Sequence, residues 1–276
     1  MDRRIWLKEK LVKRRRMEVM LQMIGVVWLG VVIGSFLNVC IDRIPVGQSI
    51  IFPRSHCMKC GHTLGVLELI PVVSYLGLRG RCKHCHSHIP LRSIWIEIIT
   101  GLCFGGVYYL YGFTIKALMV SVLLACLIIL AVVDWQYMLL PTAVIYTGLG
   151  GGIILYFLQA VMTNQWIGLW QAAIEGIIGY NLFMFLYYVS KWVLKKEALG
   201  YGDVRLMGLI GFFVGIEYIS LILLIAGILG GIYGVILLIR RGKSESYPLG
   251  PFLSIGAGIV IFWGEPIMIW YLRNFY

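Results

Sequence analysis

Ile115-Lys116-Ala117-Leu118-Met119-Val120-Ser121-Val122-Leu123-Leu124-Ala125-Cys126-Leu127-Ile128-Ile129-Leu130-Ala131-Val132-Val133 carries one charge, at Lys116, and then runs into Asp134-Trp135. Its length is close to the ~20 apolar residues that a helix needs to cross a bilayer. A carboxylate at the edge of such a run is costly unless it is used, so Asp134 is a functional-site candidate. The pattern recurs at Gly200-Tyr201-Gly202-Asp203-Val204. There a second carboxylate opens the apolar stretch 204–215, after two glycines that allow unusual backbone angles and close approach.

Working outward, further apolar segments occupy 19–39, 94–112, 139–158, 167–189, 219–239 and 249–272. The composition agrees: of 276 residues 60% are hydrophobic and 13% charged, with mean hydropathy +0.86. A soluble domain has about 45–50% apolar and about 25% charged residues. The expected fold is therefore an all-α polytopic membrane protein of about eight transmembrane helices, with a small cytoplasmic insert after the first. The segments are a basic N-terminal stretch, 1–18; a first transmembrane helix, 19–39; a polar insert, 40–92; and a transmembrane domain, 93–276. No cleavable signal peptide is expected, because the basic head is long and no small-residue cleavage site follows the first apolar run.

The formal net charge of +11 would suggest nucleic acid in a soluble protein. Here it fits Lys and Arg gathered on the cytoplasmic side against anionic lipid, with no nucleic-acid partner. If the insert is cytoplasmic, so are the loops 135–138, 191–203 and 240–247, which carry Lys191, Lys195, Lys196, Arg240, Arg241 and Lys243. The other side holds little beyond Lys116 and Arg273. The basic head opposes this arrangement if the first span crosses simply. Asp134 ends one span and Asp203 begins another two spans later, which puts both on one face.

Two adjoining carboxylates cannot both ionise freely, so one proton is shared. The charged member can take a proton from water while the protonated member donates to a carbonyl oxygen or leaving amine, as in an aspartic peptidase. The plainer readings are that Asp203 caps a helix and that Asp134 is solvated among headgroups. Glu97 and Glu175 also lie in apolar runs, as structural acids, relay groups or parts of a second site.

The insert holds Cys57-Met58-Lys59-Cys60 and Cys82-Lys83-His84-Cys85, separated by 21 residues, with all five histidines nearby. Thiolates at i and i+3 can take two corners of a tetrahedron, so Cys57, Cys60, Cys82 and Cys85 are expected to hold a structural zinc. An insert of about 50 residues has too small a core to stand easily without such a staple. Two disulfides are the alternative, disfavoured in a reducing compartment, and redox chemistry lacks a thioredoxin-like context. The histidines are read as solvated or packed around the metal, with His84 the first substitute ligand. Cys40, Cys103 and Cys126 are read as packing residues.

The ordered series Gly34-Ser35-Phe36-Leu37-Asn38-Val39, Arg43-Ile44-Pro45, the two Cys-x-x-Cys pairs, Glu68-Leu69-Ile70-Pro71, Ser74-Tyr75, Leu78-Arg79-Gly80-Arg81-Cys82, Asp134 with Leu140-Pro141, and Gly200-Tyr201-Gly202-Asp203-Val204 closely resembles the bacterial prepilin peptidases, or type IV leader peptidases. The resemblance covers about 34–209. It implies an integral aspartic endopeptidase of the bacterial inner membrane with its active site facing the cytoplasm. It further implies Asp134 and Asp203 as the catalytic pair, with Gly200 and Gly202 forming active-site backbone. The implied substrates are prepilins or pseudopilins, each a basic leader before an apolar helix that lies in the lipid, cut after a glycine. In many members the new N-terminus is then methylated with S-adenosylmethionine, an activity linked in the family to the cysteine insert. No glycine-rich nucleotide-binding turn is visible, so that cofactor has no assigned residues. The family often has an acidic or amide residue after Leu-Pro, where this chain has Thr142. The alternatives are a peptidase alone with the zinc insert as substrate clamp, a zinc-dependent membrane adaptor, and a transporter using Asp134, Asp203, Glu97 and Glu175 as a relay.

Overall fold

Apolar runs of this length must satisfy their backbone polar groups internally, and they do so as helices. The computed structural model describes residues 3–195, 199–242 and 247–275. Lys196 and Lys243 of the charge argument lie outside these residues, as do Met1, Asp2 and the side chains of 3–13 in the basic head. Among the described residues there are nine α-helices: α1 (Arg3–Arg43), α2 (Val73–Gly77), α3 (Leu91–Tyr111), α4 (Ile115–Tyr137), α5 (Thr142–Thr163), α6 (Ile167–Leu194), α7 (Tyr201–Val214), α8 (Ile219–Arg241) and α9 (Gly250–Phe275). No strand is formed among them; two isolated bridges, His56 with Thr63 and Arg81 with His88, are the only extended pairings.

Seven of these helices are long and apolar enough to span a membrane: α1, α3, α4, α5, α6, α8 and α9. The eighth expected span, 204–215, is α7, of 14 residues. At 1.5 Å per residue it reaches about 21 Å against a hydrocarbon core of about 30 Å. Its bounds explain the shortness, since it starts after Gly200 and stops at Gly215, whose φ of 93° no ordinary helical residue adopts.

The chain divides into two compact units, one of residues 1–39 and 51–113, the other of 40–50 and 114–276. In the first, α1 and α3 meet through small residues. A Cβ on Gly34 would lie 2.7 Å from Glu97 Cα, and one on Gly101 would lie 2.6 Å from Val31 Cγ2. Such contact brings two backbones within dispersion range where no hydrophobic effect drives helices together. Beside this pair, two knuckles repeat one hydrogen-bond pattern. Cys57 N–H donates to His62 O and Cys82 N–H to Ser87 O, while Gly61 N–H and His86 N–H return to Cys57 O and Cys82 O. Gly61 and His86 both have left-handed φ, 70° and 54°.

In the second unit α7 is the core. Val204, Leu206, Met207, Leu209 and Ile210 have no exposed surface. The packing against α6 is backbone to backbone: a Cβ on Gly211 would lie 2.7 Å from Glu175 O, and one on Gly179 would lie 2.8 Å from Met207 O. Thr114 caps α4 by accepting Ala117 N–H at 3.1 Å. The helix ends at Met138, in the left-handed region, whose N–H reaches Asp134 O. Cys126 is buried against Gly148, as expected of a packing residue.

Candidate active site and metal centre

Asp134 stands in the last turn of α4 and is 5% exposed; Asp203 stands in the first turn of α7 and is 7% exposed. Leu140 lies against both Gly202, next to Asp203, and Gly250, which contacts Asp134, so the two carboxylates flank one side chain. The two carboxylates are held in parallel ways. Asp134 Oδ2 accepts the N–H of Gly250, the first residue of α9, at 3.0 Å. Asp203 Oδ2 accepts the N–H of Gly200 at 3.2 Å. Helix-start amides have no partner within their own helix and carry the positive end of the helix dipole, so they suit an anion.

The capping role considered for Asp203 is therefore real, but it occupies only Oδ2. Asp203 Oδ1 is buried with no hydrogen-bond partner among the described residues. A buried acceptor without a donor costs free energy, and at this position it is available to a water or substrate proton.

The glycines let the backbone pack directly against the site. A Cβ on Gly250 would lie 2.6 Å from Asp134 Oδ2. On Gly200 it would lie 3.1 Å from Asp203 Oδ2, and on Gly202 it would lie 2.9 Å from Leu140 Cβ. Leu140 also reaches the start of α9, with Cδ2 3.2 Å from the Gly250 Cβ position. One leucine thus separates the starts of α7 and α9, while Pro141 stands at the cap just before α5.

Gly250 and the partner of Thr142 escaped the sequence reading. The signal for Gly250 is Gly250-Pro251 after a polar loop, a turn dipeptide ahead of an apolar run. Thr142 Oγ1 accepts Arg205 NH1 at 2.7 Å, and the Arg205 guanidinium lies 4.6 Å over the Tyr201 ring. Tyr201 in turn shares a 2.9 Å hydrogen bond with Tyr180. The residue after Leu-Pro thus ties α5 to α7 beside Asp203.

Within the second unit Glu175 does not extend the pair. Glu175 bonds Gln171 and lies against Gly215, at the far end of α7 and about 18 Å along the helix from Asp203. Glu97 belongs to the other unit.

In the first unit the sulfurs of Cys57, Cys60, Cys82 and Cys85 all lie within 4.8 Å of one another. Cys57 Sγ and Cys85 Sγ are 3.8 Å apart, the edge of a tetrahedron with metal–sulfur bonds of about 2.3 Å. The backbone N–H groups of Cys60 and Lys59, then the Ser87 hydroxyl, lower the Cys57 thiol to about 5, while Cys60 in the same cluster is raised to about 11, so the four interacting sulfurs share their protons unequally. The donor set fits zinc. His84 is not in the cluster; its ring lies 4.0 Å from that of His62, which in turn meets Glu68 at 3.4 Å. The Gly65 N–H holds the Glu68 carboxyl below the usual range.

Residues 28–111 match the bacterial Peptidase A24 N-terminal domain, and residues 121–235 match the type IV leader peptidase family. Among curated proteins, a prepilin leader peptidase/N-methyltransferase of Pseudomonas putida is 33% identical over 87% of this chain and 90% of its own length. One of Aeromonas hydrophila is 32% identical over 88% and 91%. One of Burkholderia pseudomallei is 31% identical over 90% and 88%. No solved structure matches.

Proposed function

The chain belongs to the type IV leader peptidase family, and from that premise we propose that it is a membrane aspartic endopeptidase and N-methyltransferase acting on prepilins or pseudopilins. It removes their basic leader after a glycine at the cytoplasmic face of the bacterial inner membrane. It then methylates the new N-terminus with S-adenosylmethionine as methyl donor. The observation that carries the peptidase half is the juxtaposition of Asp134 and Asp203, each held by one backbone amide, with Asp203 Oδ1 left without a donor.

The chemistry follows from sharing a proton. The ionised aspartate takes a proton from water, and the hydroxide equivalent attacks the scissile carbonyl carbon. The protonated aspartate donates to the carbonyl oxygen. As the tetrahedral intermediate collapses, the first aspartate returns its proton to the leaving amine. Gly200 and Gly250 let the backbone approach the two carboxylates closely enough for their amides to fix the carboxylate orientation, and Gly202 does the same for Leu140. Cys57, Cys60, Cys82 and Cys85 would hold a structural zinc that fixes the two knuckles of the 40–92 insert. The substrate's apolar helix would lie in the lipid against the exposed apolar faces of the bundle.

The test is a prepilin peptide incubated in liposomes with the wild type, Asp134→Asn and Asp203→Asn, with products read by mass spectrometry. Cleavage after glycine by wild type alone, with about 10³-fold loss or more in either variant, supports the dyad. Cleavage by both variants at the wild-type rate sinks it.

A further inference from the structure

Three carboxylates among the described residues are buried: Asp134, Asp203 and Glu97. The first two form the proposed peptidase pair. Glu97, on α3 of the first unit, is 8% exposed, and the proposed cleavage mechanism gives it no role. Neither ion pair found among the described residues, Arg14–Glu18 and His62–Glu68, involves it.

Its surroundings are built from acceptors. Asn38, on α1, donates through Nδ2 to Gly34 O at 3.3 Å and Ser93 O at 3.0 Å. That leaves Asn38 Oδ1 buried with no partner. Ser93 lies one turn before Glu97 on α3, and Gly34 presses on the Glu97 backbone, so Asn38 and Glu97 are anchored on adjacent turns of the same α1–α3 contact. The donors present are few. Glu97 receives the Ser35 hydroxyl and, at 2.7 Å, the Val72 N–H. Thr100 Oγ1 turns back to its own helix at Ile96 O. A carboxylate offers about four acceptor positions, so capacity remains for a ligand rich in N–H donors.

The backbone at this point is also unusual. Val72 has φ 60° and ψ −52°, a region in which a β-branched residue is an outlier. Val73 N–H bonds Pro71 O at 2.6 Å, closing a three-residue turn of the rare, strained hand. Strained backbone collects at binding and catalytic sites, and here the strained residue's N–H is aimed at the buried carboxylate.

We propose that Asn38 and Glu97 bind the α-ammonium group of the trimmed substrate, and that Glu97 is the base that prepares it for methylation. This rests on the methyltransferase half of the proposed function. An ammonium has no lone pair and cannot act as a nucleophile. The Glu97 carboxylate takes one N–H proton, and Asn38 Oδ1 accepts a second N–H and orients the nitrogen. The amine's lone pair then forms the N–CH₃ bond while the donor's sulfonium C–S bond breaks and its electron pair stays on sulfur. The product is a secondary ammonium and a neutral thioether, and the proton on Glu97 returns to water.

Glu97→Gln is the informative change, because an amide carbonyl still accepts the Val72 N–H while the charge and the base are gone. Wild type and variant would be given a prepilin peptide with S-adenosylmethionine. Separately, with no methyl donor, their affinities for the trimmed peptide with a free and with an acetylated N-terminus would be measured. The expected result is cleavage within about twofold of wild type, methylation down about 10²-fold or more, and loss of a preference of about tenfold for the free amine. Methylation by the variant at the wild-type rate overturns the proposal. A purely structural clamp is tested by Val72→Gly, which removes the left-handed penalty. If Glu97→Gln combined with Val72→Gly regains methylation, Glu97 only held the turn and the proposal falls; if methylation stays lost while the protein folds and cleaves, the proposal stands. A wild type that cleaves but neither methylates nor prefers the free amine overturns the methyltransferase reading itself, whereas methylating wild type and methylating variant together overturn only the role of Glu97.

Discussion

The two candidate sites are held by opposite means. Around the cysteine knuckles little is buried: of the four sulfur residues only Cys82 is, and Cys60 and Cys85 are exposed. Around Asp203 the helix is encased, with five side chains at zero exposure. The first site depends on the ligand it would hold, because four thiolates in an exposed loop have no other reason to converge. The second depends on packing, because close helix contacts fix α7 whether or not a substrate is present. A site of the first kind should fail when its ligand is taken away, and one of the second kind when an atom is added or a charge removed.

The largest effect expected is Asp203→Asn or Asp134→Asn, with cleavage down about 10³-fold or more while metal content and melting temperature stay near wild type. A large fall in melting temperature would show that the carboxylates hold the fold together. Next comes Cys57→Ser, or a chelator. Metal should be lost, and hydrogen exchange should rise across residues 55–89 while the amides of α7 keep their protection. Unchanged metal stoichiometry would remove the zinc assignment, and loss of α7 protection would erase the contrast between the sites. Gly250→Ala should be intermediate. Its methyl group would enter Asp134 Oδ2 at 2.6 Å, costing about 1–3 kcal/mol and lowering kcat far more than it raises KM. The smallest is Thr142→Asp, which gives Arg205 an anionic partner in place of a hydroxyl. A partly exposed pair should add up to about 1 kcal/mol, or a rise in Tm of about 2–4 °C. A fall would mean the carboxylate repels Asp203 more than it attracts Arg205.

Much of this was legible in the sequence because it is local. Apolar runs of span length, two Cys-x-x-Cys knuckles and a carboxylate after paired glycines each declare themselves within a few residues. What could not be read depends on partners far apart in the chain. Gly250 donates to Asp134 across 116 positions, and Val72 donates to Glu97 across 25; neither pairing leaves a periodic trace. The apolar run 204–215 is realised as the 14-residue helix α7, which ends at Gly215 where the run itself ends. The role of Thr142 could not be read because its partner, Arg205, lies on another helix.

The hydrogen bond from Gly250 also has a meaning in time. Chains are made from the N-terminus, so α4 and Asp134 enter the membrane long before α9 does. Until Gly250 has left the ribosome and its helix has inserted, Asp134 lacks its backbone donor and the proposed pair is incompletely oriented. A nascent or stalled chain would carry both aspartates and still be a poor peptidase. Gly250 follows Asp134 by 116 positions, so the donor arrives only after α4 has been made and the proposed pair gains its full orientation as α9 joins the bundle.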